Sequence, residues 1–122
     1  MKIREIMSTT LTVAEAEATL GEAATLMGEH RVGSVVVFEN DHMVGIFTER
    51  DVVRALSNTH DAPVRPVAEW MTKNPRTIDP GAEVQEALAA MIEGSFRHLP
   101  VLEDGRVVGM VSIRDVARAL NA

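Results

Sequence analysis

One stretch of the chain occurs twice, and this duplication limits the possible folds more than any other feature. The first copy runs Val44-Gly45-Ile46-Phe47-Thr48-Glu49-Arg50-Asp51-Val52-Val53-Arg54-Ala55-Leu56. The second runs Val108-Gly109-Met110-Val111-Ser112-Ile113-Arg114-Asp115-Val116-Ala117-Arg118-Ala119-Leu120. Each reads as an apolar strand that meets a hydroxyl residue and becomes an amphipathic helix. The offset is 64 positions, the difference between Asp51 and Asp115. It also brings Glu5 onto Glu69, Met7 onto Met71, Glu22-Ala23 onto Glu86-Ala87 and Met27 onto Met91. One local slip aligns Thr12-Val13 with Thr77-Ile78. Solenoids need three or more repeats. Two copies, taken as residues 1–60 and 61–122, suggest a pseudo-two-fold pair whose open faces cover each other.

A chain of 122 residues makes one compact domain or two very small halves sharing a core. Aromatic residues are only 3% of the chain, so Val, Leu, Ile, Ala and Met must fill that core. The formal net charge of −6 argues against a nucleic-acid partner. A small phosphorylated ligand is still allowed, because local charge decides its binding. Without cysteine there is neither a disulfide nor a thiolate metal site. No apolar run approaches the roughly 20 residues of a membrane span, and Met1-Lys2-Ile3-Arg4-Glu5 does not open a signal peptide. A cytoplasmic location is expected.

Each copy opens with about one helical turn, carrying Ile3, Ile6 and Met7 or Val67, Trp70 and Met71. Trp70 reads as a packing residue. Short extended pieces follow at Leu11-Thr12-Val13 and Arg76-Thr77-Ile78. Thr19 and Glu22 form a capping-box pattern. Leu20, Ala23, Ala24 and Met27 then make one apolar helical stripe, repeated by Val84, Ala87, Leu88 and Met91. Hairpins are expected from Val35–Phe38 to Met43–Phe47 across Asn40-Asp41, and from Leu99–Leu102 to Val107–Val111 across Asp104-Gly105. Both faces of these strands are apolar, which implies a sheet covered on both sides. Pro100 lacks an N–H and marks an edge or irregular position. Residues Ser57 to Pro66, polar with two prolines, read as a linker.

The pairs Thr48/Asp51 and Ser112/Asp115 carry the chemistry, and they admit two readings. In one they are capping boxes, although the reciprocal partner is usually Glu or Gln. In the other they recognise a ribose phosphate. A carboxylate can accept from both hydroxyls of a cis-diol, and a helix N-terminus suits a phosphate. Both copies keep a basic residue before the Asp, Arg50 and Arg114. Arg97-His98 adds positive charge in the second copy, where the first has Gly33-Ser34, so the two sites are not equivalent.

Met7 and Met71 precede the first extended pieces, and Thr77-Ile78-Asp79-Pro80, Arg97-His98-Leu99-Pro100-Val101 and the Gly-x-x-Thr/Ser-x-x-Asp junctions at Gly45 and Gly109 follow in order. This order, repeated at one spacing over nearly the whole chain, resembles the CBS domain, and the pair resembles a Bateman module. The resemblance implies a mixed α/β (α+β) fold of two β-α-β-β-α units packed sheet to sheet about a pseudo-two-fold axis. It implies a regulatory adenosyl ligand (AMP, ADP, ATP, S-adenosylmethionine or NAD) in clefts between the repeats, with no required cofactor. One cleft would use Met110, Ser112, Arg114 and Asp115, with Arg97 and His98, against Thr12, Val13, Val32 and Gly33. The other would use Ile46, Thr48, Arg50 and Asp51 against Thr77, Ile78, Phe96 and Arg97. A homodimer and a separate effector protein are also implied.

The alternatives are of other classes. An enzyme needs converging acid–base groups, and His30, His42, His60 and His98 are scattered, with no P-loop or GxGxxG. A metal site lacks ligand spacing. A protein-interaction or dimerisation module without nucleotide is the serious rival, and retention of both Asp51 and Asp115 weighs against it.

Overall fold

The computed structural model describes residues 1–121, which fall into two compact units. One is the continuous segment Thr12–Pro75. The other combines Met1–Leu11 with Arg76–Ala122. By sequence similarity residues 1–11 open the first copy, yet in space they belong with the second. Residues 67–75 likewise open the second copy and pack with the first. The lead segments have been exchanged.

In the continuous unit the order is β1 (Val13–Glu15), α1 (Leu20–His30), β2 (Ser34–Glu39), β3 (His42–Thr48), α2 (Glu49–Asn58) and β4 (Thr72–Lys73). The sheet order is β1-β2-β3-β4, with β1 parallel to β2 and the other pairs antiparallel. Its core is Leu20, Ala23 and Met27 of α1 against Val35, Val37 and Phe47, closed by Val67. The second unit has α3 (Val84–Gly94), the antiparallel pair β5 (His98–Glu103) and β6 (Arg106–Ser112), and α4 (Ile113–Leu120). Val84, Ala87 and Met91 pack there on Leu99, Val101 and Val111, and Ile3 closes the cluster.

Local chemistry accounts for the elements. The Thr19 hydroxyl accepts from the Glu22 N–H at 3.0 Å, and the Glu22 carboxylate accepts from the Thr19 N–H at 3.0 Å. Those bonds start α1 and hold the Glu22 carboxyl below its ordinary value. Both hairpins turn through two residues with positive φ, Asn40 and Asp41 at 52° and 64°, and Asp104 and Gly105 at 50° and 78°. That is the type I′ pattern matching the strands' own twist. Val35, Val36 and Val37 are all buried, as are Leu99 and Val101, so both strand faces are covered as expected.

Two elements differ from the sequence reading. The Arg76-Thr77-Ile78 piece forms only a single parallel bridge, Ile78 to Val101, where the first copy has a three-residue strand. In the first copy the Val36 N–H donates to the Thr12 carbonyl at 2.9 Å, and Pro100 occupies the matching place without an N–H. Residues 57–66 are not a loose linker. Ala62 is completely buried, and the Leu20 N–H donates to the Arg65 carbonyl at 2.9 Å, so the segment docks on the start of α1.

Two glycines seat the exchanged segments. A Cβ on Gly45 would lie 2.6 Å from the Thr72 carbonyl oxygen and 2.7 Å from the Met71 sulfur. A Cβ on Gly109 would lie 2.7 Å from the Met7 sulfur and 2.9 Å from the Ser8 carbonyl oxygen. Ser8 and Met110 exchange two backbone hydrogen bonds of 2.9 Å across this gap. Gly45→Ala or Gly109→Ala forces backbone apart and is expected to cost about 1–3 kcal/mol. Thermal melting checks it, since each kcal/mol lowers the Tm of a domain this size by about 3–6 °C. Variants melting like the wild type would show that the strands yield freely.

Candidate functional site

The two strand-to-helix junctions place Thr48 and Asp51 in one unit and Ser112 and Asp115 in the other. The Thr48 N–H donates to Asp51 Oδ2 at 2.9 Å, and its hydroxyl donates to the same oxygen at 3.2 Å. The Ser112 N–H and hydroxyl reach Asp115 Oδ2 at 2.8 and 3.0 Å, and the Asp115 N–H returns a bond to Ser112 Oγ at 3.2 Å. The capping geometry is therefore real, although aspartate is a methylene shorter than the usual partner. It succeeds because the N–H and the hydroxyl of the cap residue converge on one oxygen. The cap consumes Oδ2 in both copies and leaves Oδ1 over.

What happens to Oδ1 separates the copies. Asp51 is only 5% exposed, and its Oδ1 accepts from Arg54 Nη2 at 3.1 Å. The same nitrogen donates to the Trp70 carbonyl at 2.8 Å, and the guanidinium carbon lies 5.3 Å from the Trp70 ring centroid. Asp115 is half-buried, and among the described residues its Oδ1 accepts no hydrogen bond. Arg118, the counterpart of Arg54, is exposed and forms no ion pair among the described residues. The residue matching Trp70 is Ile6, which offers no aromatic face.

Within each unit a tight turn abuts its junction. Helices α1 and α3 both end on a left-handed residue that is not glycine, Arg31 at φ 54° and Ser95 at φ 57°. The chain closes there by Val32 N–H to the Met27 carbonyl (3.0 Å) and Phe96 N–H to the Met91 carbonyl (3.2 Å). The next carbonyls, of Gly33 and Arg97, accept the first helical N–H groups, from Glu49 at 3.1 Å and Ile113 at 2.8 Å. One of the amides a phosphate could have used is thus occupied in each copy. Strand pairing sets Ser34 opposite Thr48 and His98 opposite Ser112.

In the first unit Gly33, Thr48 and Asp51 therefore cluster, with Arg50 exposed and Ile46 buried in β3. Thr12 and Val13 lie at the outer strand of that sheet, Val13 being exposed, and Val32 is exposed beside Gly33. In the second unit Arg97, His98, Ser112 and Asp115 cluster, with Arg114 exposed and Met110 half-buried. Thr77 and Ile78 lie at the bridge to β5, and Phe96 is half-buried in the turn before it. The sequence reading missed Arg54, whose signal was its position three residues after Asp51 on a helix. No cluster of potential metal ligands occurs among the described residues, and no helix among them is long and apolar enough to cross a membrane.

Among the described residues the two units and their matching junctions make a duplicated mixed α/β module with four α-helices and two sheets. Residues 3–58 and 67–122 each match the CBS domain family, and the chain belongs to that family as a tandem CBS pair, a regulatory module. It is 43% identical over 122 residues to an uncharacterized 17.7 kDa protein of Acidianus ambivalens, covering 98% of this chain and 73% of that one. The share of other curated relatives that the chain spans varies, from 82% of a CBS domain-containing protein of Bacillus subtilis to 21% of one of Arabidopsis thaliana. A CBS-domain containing protein from Agrobacterium tumefaciens has the same fold, with a TM-score of 0.94 and 31% identity over 98% of this chain and 99% of that one. A CBS domain pair solved in complex with 5′-methylthioadenosine and S-adenosyl-L-methionine matches with a TM-score of 0.90 and 25% identity, covering 99% and 96% of the two chains.

The two aspartates should differ without any ligand. Asp51→Asn removes a buried cap charge together with the ion-pair partner of Arg54 and is expected to cost about 1–3 kcal/mol. Asp115→Asn loses only a cap charge, about 1 kcal/mol or less. Urea unfolding of the ligand-free variants measures both. Equal losses would mean that Arg54 contributes nothing to the first junction.

Proposed function

We propose that the protein binds an adenosyl ligand (AMP, ADP, ATP, S-adenosylmethionine or NAD) and passes nucleotide state to an effector protein. The observation that carries this reading is the half-buried Asp115 carboxylate, whose Oδ2 is fixed by Ser112 while Oδ1 has no partner among the described residues. An oriented carboxylate oxygen with both lone pairs open can accept from two neighbouring ribose hydroxyls. The Ser112 hydroxyl spends its proton on Asp115, so its part is to aim the carboxylate. Exposed Arg97 and Arg114 supply charge for a phosphate, with His98 and Met110 beside them on the paired strands. In the first copy Ile46, Thr48, Arg50 and Asp51 form the corresponding group. Thr12, Val13, Val32, Gly33, Thr77, Ile78 and Phe96 carry the adenine-facing part of the reading. The related pair solved with two adenosyl compounds supports that ligand class.

Calorimetric titration with AMP, ATP and S-adenosylmethionine tests the reading. Asp115→Asn should weaken binding about ten-fold or more, the equivalent of one charge-assisted hydrogen bond of roughly 1.5–3 kcal/mol. In wild-type protein, ligand at about 100 times its Kd adds roughly 2.7 kcal/mol and raises the Tm visibly. A melting curve unmoved by all of these compounds, in protein shown by mass spectrometry to be ligand-free, would sink the assignment.

Self-association belongs to the same reading. Val53 and Leu56 on α2, Ile92 on α3 and Leu120 on α4 are 65%, 50%, 70% and 45% exposed. Such apolar side chains favour contact with a second copy. Sedimentation equilibrium at micromolar concentration should give about twice the 13.3 kDa chain mass, and a monomer there would reject the dimer.

A further inference from the structure

The two junctions share one motif, but among the described residues an arginine occupies the free carboxylate oxygen in the first and not in the second. The geometry points to Arg54 as a built-in counter-ion that occupies the first-copy junction, so that Asp51 is closed to a ribose and each chain takes one adenosyl ligand at Asp115. This rests on the adenosyl-ligand reading above and adds which copy binds, and why.

Three contacts hold Arg54 in place. Nη2 lies 3.1 Å from Asp51 Oδ1 and 2.8 Å from the Trp70 carbonyl, and the guanidinium stacks over the Trp70 ring at 5.3 Å. The arginine is thus clamped between the helix that carries Asp51 and the exchanged segment that carries Trp70. Its side chain is 49% exposed while that of Asp51 is 6% exposed, so the guanidinium shields the carboxylate from solvent. Around Asp51 the cap fills Oδ2 with two donors and Arg54 supplies a third on Oδ1. Of about four acceptor sites on a carboxylate, one is left. A ribose diol has to place two hydroxyls, so it must first evict the arginine.

The second copy keeps the arginine and lacks the clamp. Arg118 stands at the matching helical position, exposed, and the residue that corresponds to Trp70 in sequence is Ile6, which has no ring. A flexible, exposed arginine without an aromatic face to lie on gains little from pairing with one half-buried carboxylate. Among the described residues Asp115 Oδ1 therefore has no partner, which leaves two acceptor sites for two hydroxyls. The side-chain difference between the copies at this place is Trp70 against Ile6, which gives Arg54 a ring to lie on and Arg118 none.

Calorimetry with AMP and with S-adenosylmethionine as probes tests this on wild-type protein and on Asp115→Asn, Arg54→Ala and Arg54→Ala/Asp115→Asn variants. Wild-type protein should bind one ligand per chain, weakened ten-fold or more by Asp115→Asn. Arg54→Ala should add a second event that survives in the double variant. Trp70→Ile, which removes the ring but keeps the arginine and the backbone carbonyl, should produce a weaker second event than Arg54→Ala does. Two wild-type events of similar affinity overturn the inference even if Arg54→Ala does not fold. Asp115-dependent binding with no second event in a folded Arg54→Ala protein overturns it alone and leaves the adenosyl reading standing. Binding by neither wild type nor Arg54→Ala overturns both.

Discussion

The close approach at Gly45 and Gly109 is the constraint on which the structure depends. In each case a methionine sulfur and a backbone carbonyl occupy the space of a missing Cβ. The methionine comes from the lead segment of the other copy. Any side chain at these glycines would push that segment off the strand. The same strands run on to Thr48 and Ser112, so the contact that seats the exchanged segment also fixes the line along which the cap residue meets its helix.

Much of this was legible from residue order. Valine runs broken by Asn40-Asp41 and Asp104-Gly105 gave hairpins because two-residue turns with positive φ admit few residue types. The Thr19/Glu22 cap and the apolar stripes of α1 and α3 followed from helical spacing. The exchange of lead segments was invisible, because similarity between copies says which residues correspond and nothing about which copy they pack on. Docking of residues 57–66 was missed for a related reason. Its anchors are one small side chain, Ala62, and a backbone carbonyl, and neither raises the apolar content of a polar stretch.

The candidate site was legible in its shared part and opaque in the part that differs. The hydroxyl–carboxylate spacing marked both junctions, and the structure joins the capping and ligand readings, since the cap uses one carboxylate oxygen and leaves the other. Arg54 and Arg118 look alike in the chain. Only the fold sets a tryptophan ring beside one of them. A long, mobile cation is positioned by what it lies against, and a residue sixteen positions away in sequence is not recognisable as its support without coordinates.

The exchange also orders the making of the molecule in time. The unit of residues 12–75 is continuous and needs nothing outside itself to close its sheet. The other unit joins Ile3 to Ala82 and Ser8 to Met110, contacts that span most of the chain. Closing so long a loop carries an entropic cost and slows folding. During synthesis the continuous unit can fold as soon as it leaves the ribosome. Residues 1–11 gain these partners only after the segments that supply Ala82 and Met110 have been made.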